Sequence, residues 1–185
     1  MLQTKSITKD IKNDQACFNQ IKQLYRSAFP KQEQAPISWL IHMTKKDTVR
    51  FDAYYDGDVF VGITYTLSFR GMTYLWYLAT SPELRGKGCG SQILQQLTER
   101  FPNDRIVLNL EAQDASKSDS EIRKRRKEFY IRNGYTTADY SCIFNRNDLD
   151  VMFTQGVVSQ SEFLSIFKHS FNPIIYFLLK PTIVD

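Results

Sequence analysis

Three glycines and two cations lie together near the middle of the chain, in the loop Arg85-Gly86-Lys87-Gly88-Cys89-Gly90. The loop follows a predicted strand over residues 73–80 and precedes a predicted helix with the apolar residues Ile93, Leu94, Leu97 and Phe101 at helical spacing. Glycine permits strained backbone angles and close approach of a ligand. The first N–H groups of a helix lack internal partners and carry partial positive charge. The pattern therefore predicts a phosphate site at the start of this helix, with formal charge from Arg85 and Lys87.

The spacing of these glycines disfavours two common nucleotide-binding loops. A Walker loop requires Gly-x4-Gly-Lys-Ser/Thr, which does not occur in the sequence. A Rossmann loop requires Gly-x-Gly-x-x-Gly in the first βα unit, whereas this loop reads Gly-x-Gly-x-Gly and follows a hairpin. The pattern that fits is Arg-x-x-Gly-x-Gly, and the alternative is a plain glycine-rich connection with solvated charges.

The order of predicted elements indicates one mixed α/β domain, which suits a length of 185 residues. Asp14 is the predicted cap of the first helix, and Asp56-Gly57 is the predicted turn of a hairpin. The elements are an edge strand at 2–8, helices at 14–29 and 36–46, hairpin strands near 49–55 and 63–69, the strand–loop–helix unit, a strand at 106–110, a basic helix from 118 or 119 to 133, strands at 135–144 and 148–154, a helix at 159–169 and an apolar tail at 174–179.

Composition and charge narrow the class of protein. Three scattered cysteines without a CxxC pair predict neither a disulfide framework nor a zinc site. No apolar run approaches the roughly 18–20 residues of a membrane span, and the first residues lack a signal-peptide core, so we expect a cytoplasmic protein with no membrane partner. The net charge of +4 is carried by residues 117–132, which hold seven basic and three acidic residues. This local excess argues against a general nucleic-acid binder.

The loop resembles the pyrophosphate-binding loop of the GNAT superfamily of acyl-CoA N-acyltransferases. A second stretch, Glu128-Phe129-Tyr130-Ile131-Arg132-Asn133-Gly134-Tyr135, is similar to the family's other signature, an aromatic-Tyr pair followed four residues later by Gly-aromatic. The element order also matches. The resemblance covers residues 1–146 and implies a mostly antiparallel sheet with a central splay. Residues 147–185 are expected to form a C-terminal extension packed on the same domain.

The resemblance implies a cofactor site for acetyl-CoA and no metal. The strand end Leu78, Ala79 and Thr80 would pair with the pantetheine arm, and the pyrophosphate would bind Arg85, Gly86, Lys87, Gly88, Cys89, Gly90 and Ser91. The acceptor amine would enter the splay from the opposite side and attack the thioester directly, with a strand N–H at the oxyanion. The leaving thiolate would then be protonated by Tyr130.

Each catalytic candidate has a plainer alternative. Tyr130 is either the proton donor or a core aromatic beside Phe129. Glu111, at the end of the strand that would line the splay, is either the base for the amine or a solvent-facing strand end. Cys89 lies near a helix N-terminus, where a thiol becomes more acidic, but a position between phosphate-binding glycines suits a small inward-packed residue, so we do not expect it to be a nucleophile.

The basic helix departs from the family pattern. Many relatives carry Asn seven residues before the signature tyrosine and Ala four residues before it, whereas this chain has Arg123 and Arg126. Arg123 either reaches a phosphate or the acceptor, or belongs with most of the cations at 123–127 to a solvated helix face.

We therefore expect an acetyl-CoA-dependent N-acetyltransferase that acts on a primary amine of a small molecule or peptide. The alternative is a catalytically silent domain of the same fold that senses acyl-CoA or binds nucleic acid. The sequence does not identify the acceptor, because the aromatic and acidic candidates either form a pocket for a cationic amine or belong to the core and edges. These candidates are Trp39, Asp52, Tyr54, Tyr55, Asp56, Trp76 and Tyr77. The extension at 147–185 either covers the acceptor side or makes a subunit contact in a homodimer.

Overall fold

The computed structural model describes residues 1–184, with the backbone alone at Lys12. It confirms the mixed α/β class, with eight strands and six helices within the described residues. The chain divides into two compact units. The first contains Met1–Leu67 and Leu75–Arg100, and the second contains Ser68–Tyr74 and the chain from Phe101 onward.

The first unit has helices on both faces of antiparallel strands. Asp14 caps the first helix by accepting a hydrogen bond from the backbone N–H of Cys17. A hairpin turns at Gly57, whose φ of +56° favours glycine. The elements are strands β1 (Gln3–Ser6), β2 (Val49–Asp56), β3 (Val59–Ser68) and the second part of β4 (Met72–Thr80), and helices α1 (Gln15–Ala28), α2 (Ile37–Met43) and α3 (Cys89–Arg100).

The alternation of β2 and β3 assigns these helices to opposite faces. On one face, the Tyr65 hydroxyl donates to the Leu40 carbonyl of α2, and Tyr55 of β2 hydrogen-bonds to Cys17 of α1. On the other face, Asp52 of β2 pairs with Arg100 of α3. The α3 helix begins at Cys89, within the glycine loop, and its last residue, Arg100, pairs with the buried carboxylate of Asp52.

The second unit orders its strands β4-β5-β7-β6-β8. The first three residues of β4 pair in parallel with β5, whereas the other neighbouring strands in this unit pair antiparallel. A capping box of Ser159 and Glu162 starts α5, which packs Phe163 and Phe167 against Tyr74. The elements are β5 (Arg105–Glu111), α4 (Ser120–Arg132), β6 (Thr136–Phe144), β7 (Asn147–Phe153), α5 (Gln160–Ser170), α6 (Pro173–Leu179) and β8 (Thr182–Val184).

Several predicted boundaries need correction. The α2 helix ends at Met43 rather than near Lys46, and residues 44–46 form turns. The apolar tail at 174–179 is a helix, α6, because Asn172 caps it and Pro173 occupies its first position. Three 3-10 turns were not predicted, at Lys9–Asn13, Lys31–Glu33 and Pro82–Leu84.

The position of β7 bears on the predicted extension. This strand, the first element after residue 146, pairs with both β5 and β6. The boundary between a core at 1–146 and an extension at 147–185 stays a prediction. Among residues 1–184, no helix combines the length and the apolar character needed to cross a membrane.

Candidate functional site

The predicted phosphate loop forms a tight connection between β4 and α3. Gly86 and Gly88 have φ of +75° and +81°, in the left-handed region that favours glycine. A Cβ on either residue would meet nothing within 4 Å, so the requirement for glycine is conformational rather than steric. Arg85 and Lys87 are exposed, and Cys89 begins α3. The predicted geometry of a cationic, glycine-rich turn entering a helix N-terminus is therefore confirmed.

The end of β4 is held close to β3 at a glycine that the sequence analysis did not single out. An ideal Cβ at Gly62 would lie 2.4 Å from the carbonyl oxygen of Ala79 and 3.2 Å from the Cα of Thr80. The backbone N–H of Ser81 donates to the carbonyl of Val61 at 2.8 Å. Gly62 thus allows the segment Leu78–Thr80 to approach β3 more closely than a side chain would permit.

Among the three residues of this segment, Ala79 is buried, whereas Leu78 and Thr80 are partly exposed. The partly exposed members are the ones available to a ligand. Gly90 and Ser91 continue the first turn of α3 and are also partly exposed. All ten predicted cofactor residues therefore belong to the first unit, and none is sealed in its core except Ala79.

Tyr130 lies on α4 in the second unit and is partly exposed. Its ring contacts those of Phe129 and Tyr135, with centroids 5.1 and 5.5 Å away. Burial raises the pKa of Tyr130 to about 12, the positive charge of Arg126 lowers it, and the negative charge of Glu111 raises it. Tyr130 is thus a neutral hydrogen-bond donor across the physiological range.

Glu111 ends β5 and is bound to the helix that carries Tyr130. One guanidinium nitrogen of Arg126, Nη1, lies 2.6 Å from Glu111 Oε1 and 2.5 Å from Oε2. The Glu111 side chain is 23% exposed and that of Arg126 is 44% exposed. The structure therefore brings together Tyr130 and Glu111, the two predicted catalytic residues, through an arginine that was not predicted to take part.

The other cations of α4 divide into two groups. Arg123 donates to the Ala112 carbonyl at 3.2 Å and pairs with Asp119 at 2.9 Å. Lys127 pairs with Asp150 at 2.7 Å. The predicted solvated face is therefore correct for the exposed Lys124 and Arg125, whereas Arg123, Arg126 and Lys127 form ion pairs. The sequence showed Arg126 four residues before Tyr130, one turn away on the same side of the helix, but not its ion pair with Glu111.

Burial reduces the number of residues that could contact the acceptor. Asp52, Tyr54 and Tyr77 are buried in the first unit. The Tyr77 hydroxyl donates to the Glu33 carbonyl at 2.6 Å and so holds the loop between α1 and α2. Trp39 and Trp76 stay partly exposed and meet edge to face, with ring centroids 6.2 Å apart. An aromatic pair of this kind is suited to a cation or an apolar body.

Comparisons with known proteins agree with this geometry. No curated protein sequence matches the chain. A putative GNAT-family acetyltransferase from Bacteroides thetaiotaomicron has a similar structure, with 22% identity, a TM-score of 0.73, and coverage of 94% of this chain and 98% of that chain. An aminoglycoside 6'-N-acetyltransferase complexed with coenzyme A has 15% identity, a TM-score of 0.64, and coverage of 85% and 98%.

A third similar structure is the ribosomal-protein-S18-alanine N-acetyltransferase from Escherichia coli, with 15% identity, a TM-score of 0.60, and coverage of 86% of this chain and 96% of that chain. At such identities the likeness shows the fold. Within the described residues, no cluster of histidine, cysteine or carboxylate side chains could hold a metal ion. The model of the acetyltransferase (GNAT) family matches residues 18–119, more than half of the sequence, and the chain therefore belongs to that family.

Proposed function

We propose that the protein transfers an acetyl group directly from acetyl-CoA to a primary amine of a small molecule or peptide. The observation that carries the proposal is the connection from β4 to α3, where two left-handed glycines lead into a helix N-terminus beside the exposed Arg85 and Lys87. Orphan N–H groups, the helix dipole and two cations are the features that bind a pyrophosphate.

In the proposed reaction, the neutral amine nitrogen attacks the thioester carbonyl carbon. The C–S bond then breaks, CoA leaves as the thiolate, and the nitrogen loses one proton. Tyr130 donates its phenol proton or a hydrogen bond to that thiolate and recovers the proton from solvent. Burial favours the neutral phenol, which keeps the donor in place across the physiological range.

Glu111 has a narrower role in this proposal than the sequence suggested. Both of its carboxylate oxygens are hydrogen-bonded to Arg126. Arg126 already occupies one acceptor site on each oxygen, so we assign the amine proton first to solvent water and keep Glu111 as the base to be tested. We propose a cationic or aromatic amine as the acceptor, since Trp39 and Trp76 form a partly exposed aromatic pair in the first unit.

The test is a thiol-release assay with acetyl-CoA against amino acids, polyamines, aminoglycosides and peptides, with the acetylated product identified by mass spectrometry. We expect Tyr130→Phe to lower kcat at least about tenfold while the Kd for acetyl-CoA stays within about twofold. Tyr140→Phe is the control, because Tyr140 is buried and its hydroxyl has no hydrogen-bond partner among the described residues.

The loop is tested separately with a substrate that lacks phosphates. The double variant Arg85→Gln/Lys87→Gln should raise the KM for acetyl-CoA about tenfold or more and leave the KM for acetyl-pantetheine unchanged. The control is the double variant Lys22→Gln/Arg26→Gln, which removes the same amount of positive charge from α1 instead of the loop. Binding of CoA without transfer to any amine would instead support the silent acyl-CoA sensor, and equal losses with both thioesters would refute the role of the loop.

A further inference from the structure

Arg126 connects helix α4, which carries Tyr130, to the end of strand β5. It is four residues before Tyr130 on α4, a spacing that puts the two side chains on the same side of the helix. Its Nη1 contacts both carboxylate oxygens of Glu111, the last residue of β5, at 2.6 and 2.5 Å. The neighbouring Arg123 donates to the carbonyl of Ala112, the residue after Glu111. Two arginines of one helix therefore attach it to the end of one strand.

We propose that Arg126 is a positioning residue for Tyr130, holding α4 on the end of β5 through Glu111 and keeping a positive charge one helical turn from the phenol. This inference rests on the proposed function, in which the phenol oxygen gains negative charge as its proton moves to the CoA thiolate. A nearby cation stabilises that oxygen, and a nearby carboxylate opposes it.

The charged neighbours of Tyr130 agree with this assignment. Arg126 acts from α4 itself and Glu111 from β5, and the pKa of the phenol is lowered by the first and raised by the second. The neutral phenol Tyr135 contacts its ring from the segment that enters β6. Lys127, the next residue of α4, is paired with Asp150 of β7. The charges of Arg126 and Glu111 thus nearly cancel. Removing Arg126 leaves a negative charge near the phenol, and removing Glu111 leaves a positive one.

The ion pair makes a prediction that a purely structural contact does not. Arg126→Gln leaves the Glu111 carboxylate alone beside the phenol, so the pKa of Tyr130 should rise by about half a unit or more. Glu111→Gln removes the negative charge that opposes the guanidinium, so the pKa of Tyr130 should fall by a similar amount. Loss of a structural contact would loosen the helix in both variants and would move the phenol in the same direction in both.

The experiment uses the full chain with fluorinated tyrosine incorporated, because the fluorinated phenol is more acidic and titrates within a milder pH range. The ¹⁹F signal of residue 130 is assigned from its loss in Tyr130→Phe and followed against pH in the wild type, Arg126→Gln and Glu111→Gln. Arg125→Gln is the matched control, since Arg125 is exposed, carries the same charge and lies one residue away on another side of the helix. Thermal melts of each variant report folding.

Opposite shifts in the two variants, with none in Arg125→Gln, support the proposal. Shifts of the same sign, or no shift beyond that of Arg125→Gln, overturn it. If Arg126→Gln does not fold, Glu111→Gln must still lower the Tyr130 pKa, and Arg126→Lys, which keeps the charge, must leave it near the wild-type value. The titration needs no acceptor, so failure of the proposed acetyl transfer would be seen separately in the thiol-release assay.

An activity measurement gives an independent readout once an acceptor is found. Arg126→Gln should lower kcat about threefold to tenfold with little change in the KM for acetyl-CoA, and Arg126→Lys should recover most of that loss. A rise in the KM for acetyl-CoA with unchanged kcat would overturn the assignment and place Arg126 in cofactor binding instead.

Discussion

Replacement of Gly62 by alanine is the sharpest test of the strand end that we assign to the pantetheine arm. The new Cβ would lie 2.4 Å from the Ala79 carbonyl oxygen, whereas an ordinary contact begins at 3.4 Å. The end of β4 must therefore move by about 1 Å, because two of the three nearest atoms belong to its backbone and cannot rotate away. The third, Cδ1 of Ile93, is the end of a flexible side chain at 3.2 Å.

The displacement has a stability cost and a functional cost. Overpacking of this kind destabilises by about 1–3 kcal/mol, which corresponds to a fall in Tm of roughly 2–12 °C for a chain of this size. A misplacement of about 1 Å in a substrate-positioning element lowers kcat/KM by up to about 100-fold. We expect Gly62→Ala to reduce kcat/KM for acetyl-CoA at least about tenfold, and to reduce it similarly for acetyl-pantetheine.

The assay combines thermal melts with and without CoA and initial rates with both thioesters. Gly156→Ala is the matched control, because φ of +72° strains any side chain there and its nearest atom, on Arg105, is 3.7 Å away. It should lose stability by about 1–2 kcal/mol without changing the KM for acetyl-CoA. A Gly62→Ala enzyme with wild-type kinetics and a wild-type CoA-induced rise in Tm would refute the assignment of Leu78–Thr80 to the cofactor.

Three further predictions concern stability. Ser159→Ala removes the capping box of α5 and should cost about 1 kcal/mol in urea denaturation, with kcat unchanged. The ion pair with Arg105 lowers the pKa of Glu162 from 4.5 to about 2, so its stabilising contribution is present above pH 4.5 and is lost as the pH falls toward 2. Glu162→Gln, which can keep the cap, should accordingly flatten the decline of Tm over that range, and an unchanged decline would contradict this. Asp52→Asn removes the buried carboxylate that pairs with Arg50 and Arg100 and should lower the free energy of unfolding by about 2 kcal/mol. The cost is smaller than for a fully buried pair because both arginines reach solvent. A loss below about 0.5 kcal/mol would contradict the importance of these ion pairs.

Local signals predicted the elements wherever one residue controls one boundary. Asp14 and Pro30 bracket α1, and Gly57 of the predicted Asp56-Gly57 turn lies between β2 and β3. Capping side chains, proline rings and left-handed glycines act on their own few residues, so the sequence displays them directly. The α2 helix was predicted too long because no proline or glycine follows Met43 to mark its end, whereas the chain turns at Thr44.

The candidate site was predicted as a set of residues but not as a set of contacts. The glycine loop and Tyr130 were found from their motifs, whereas the close approach at Gly62 and the contact of Arg126 with Glu111 were not. Gly62 matters because a strand distant in sequence approaches its backbone, and Arg126 matters because it meets Glu111, fifteen residues earlier. Neither relation has a local pattern.

The sequence by itself determined the class of fold and the cationic turn into α3, because backbone preference and hydrophobic periodicity are properties of short segments. Tyr130 was indicated by the resemblance of the second motif to a family signature. Only the tertiary structure decided that β7 pairs with both β5 and β6, that Gly62 lets β4 approach β3, and that Glu111 is bound to Arg126. Strand pairing, close backbone approach and ion pairing between elements depend on distances in space. Those distances follow from the packing of the folded chain and not from spacing along it.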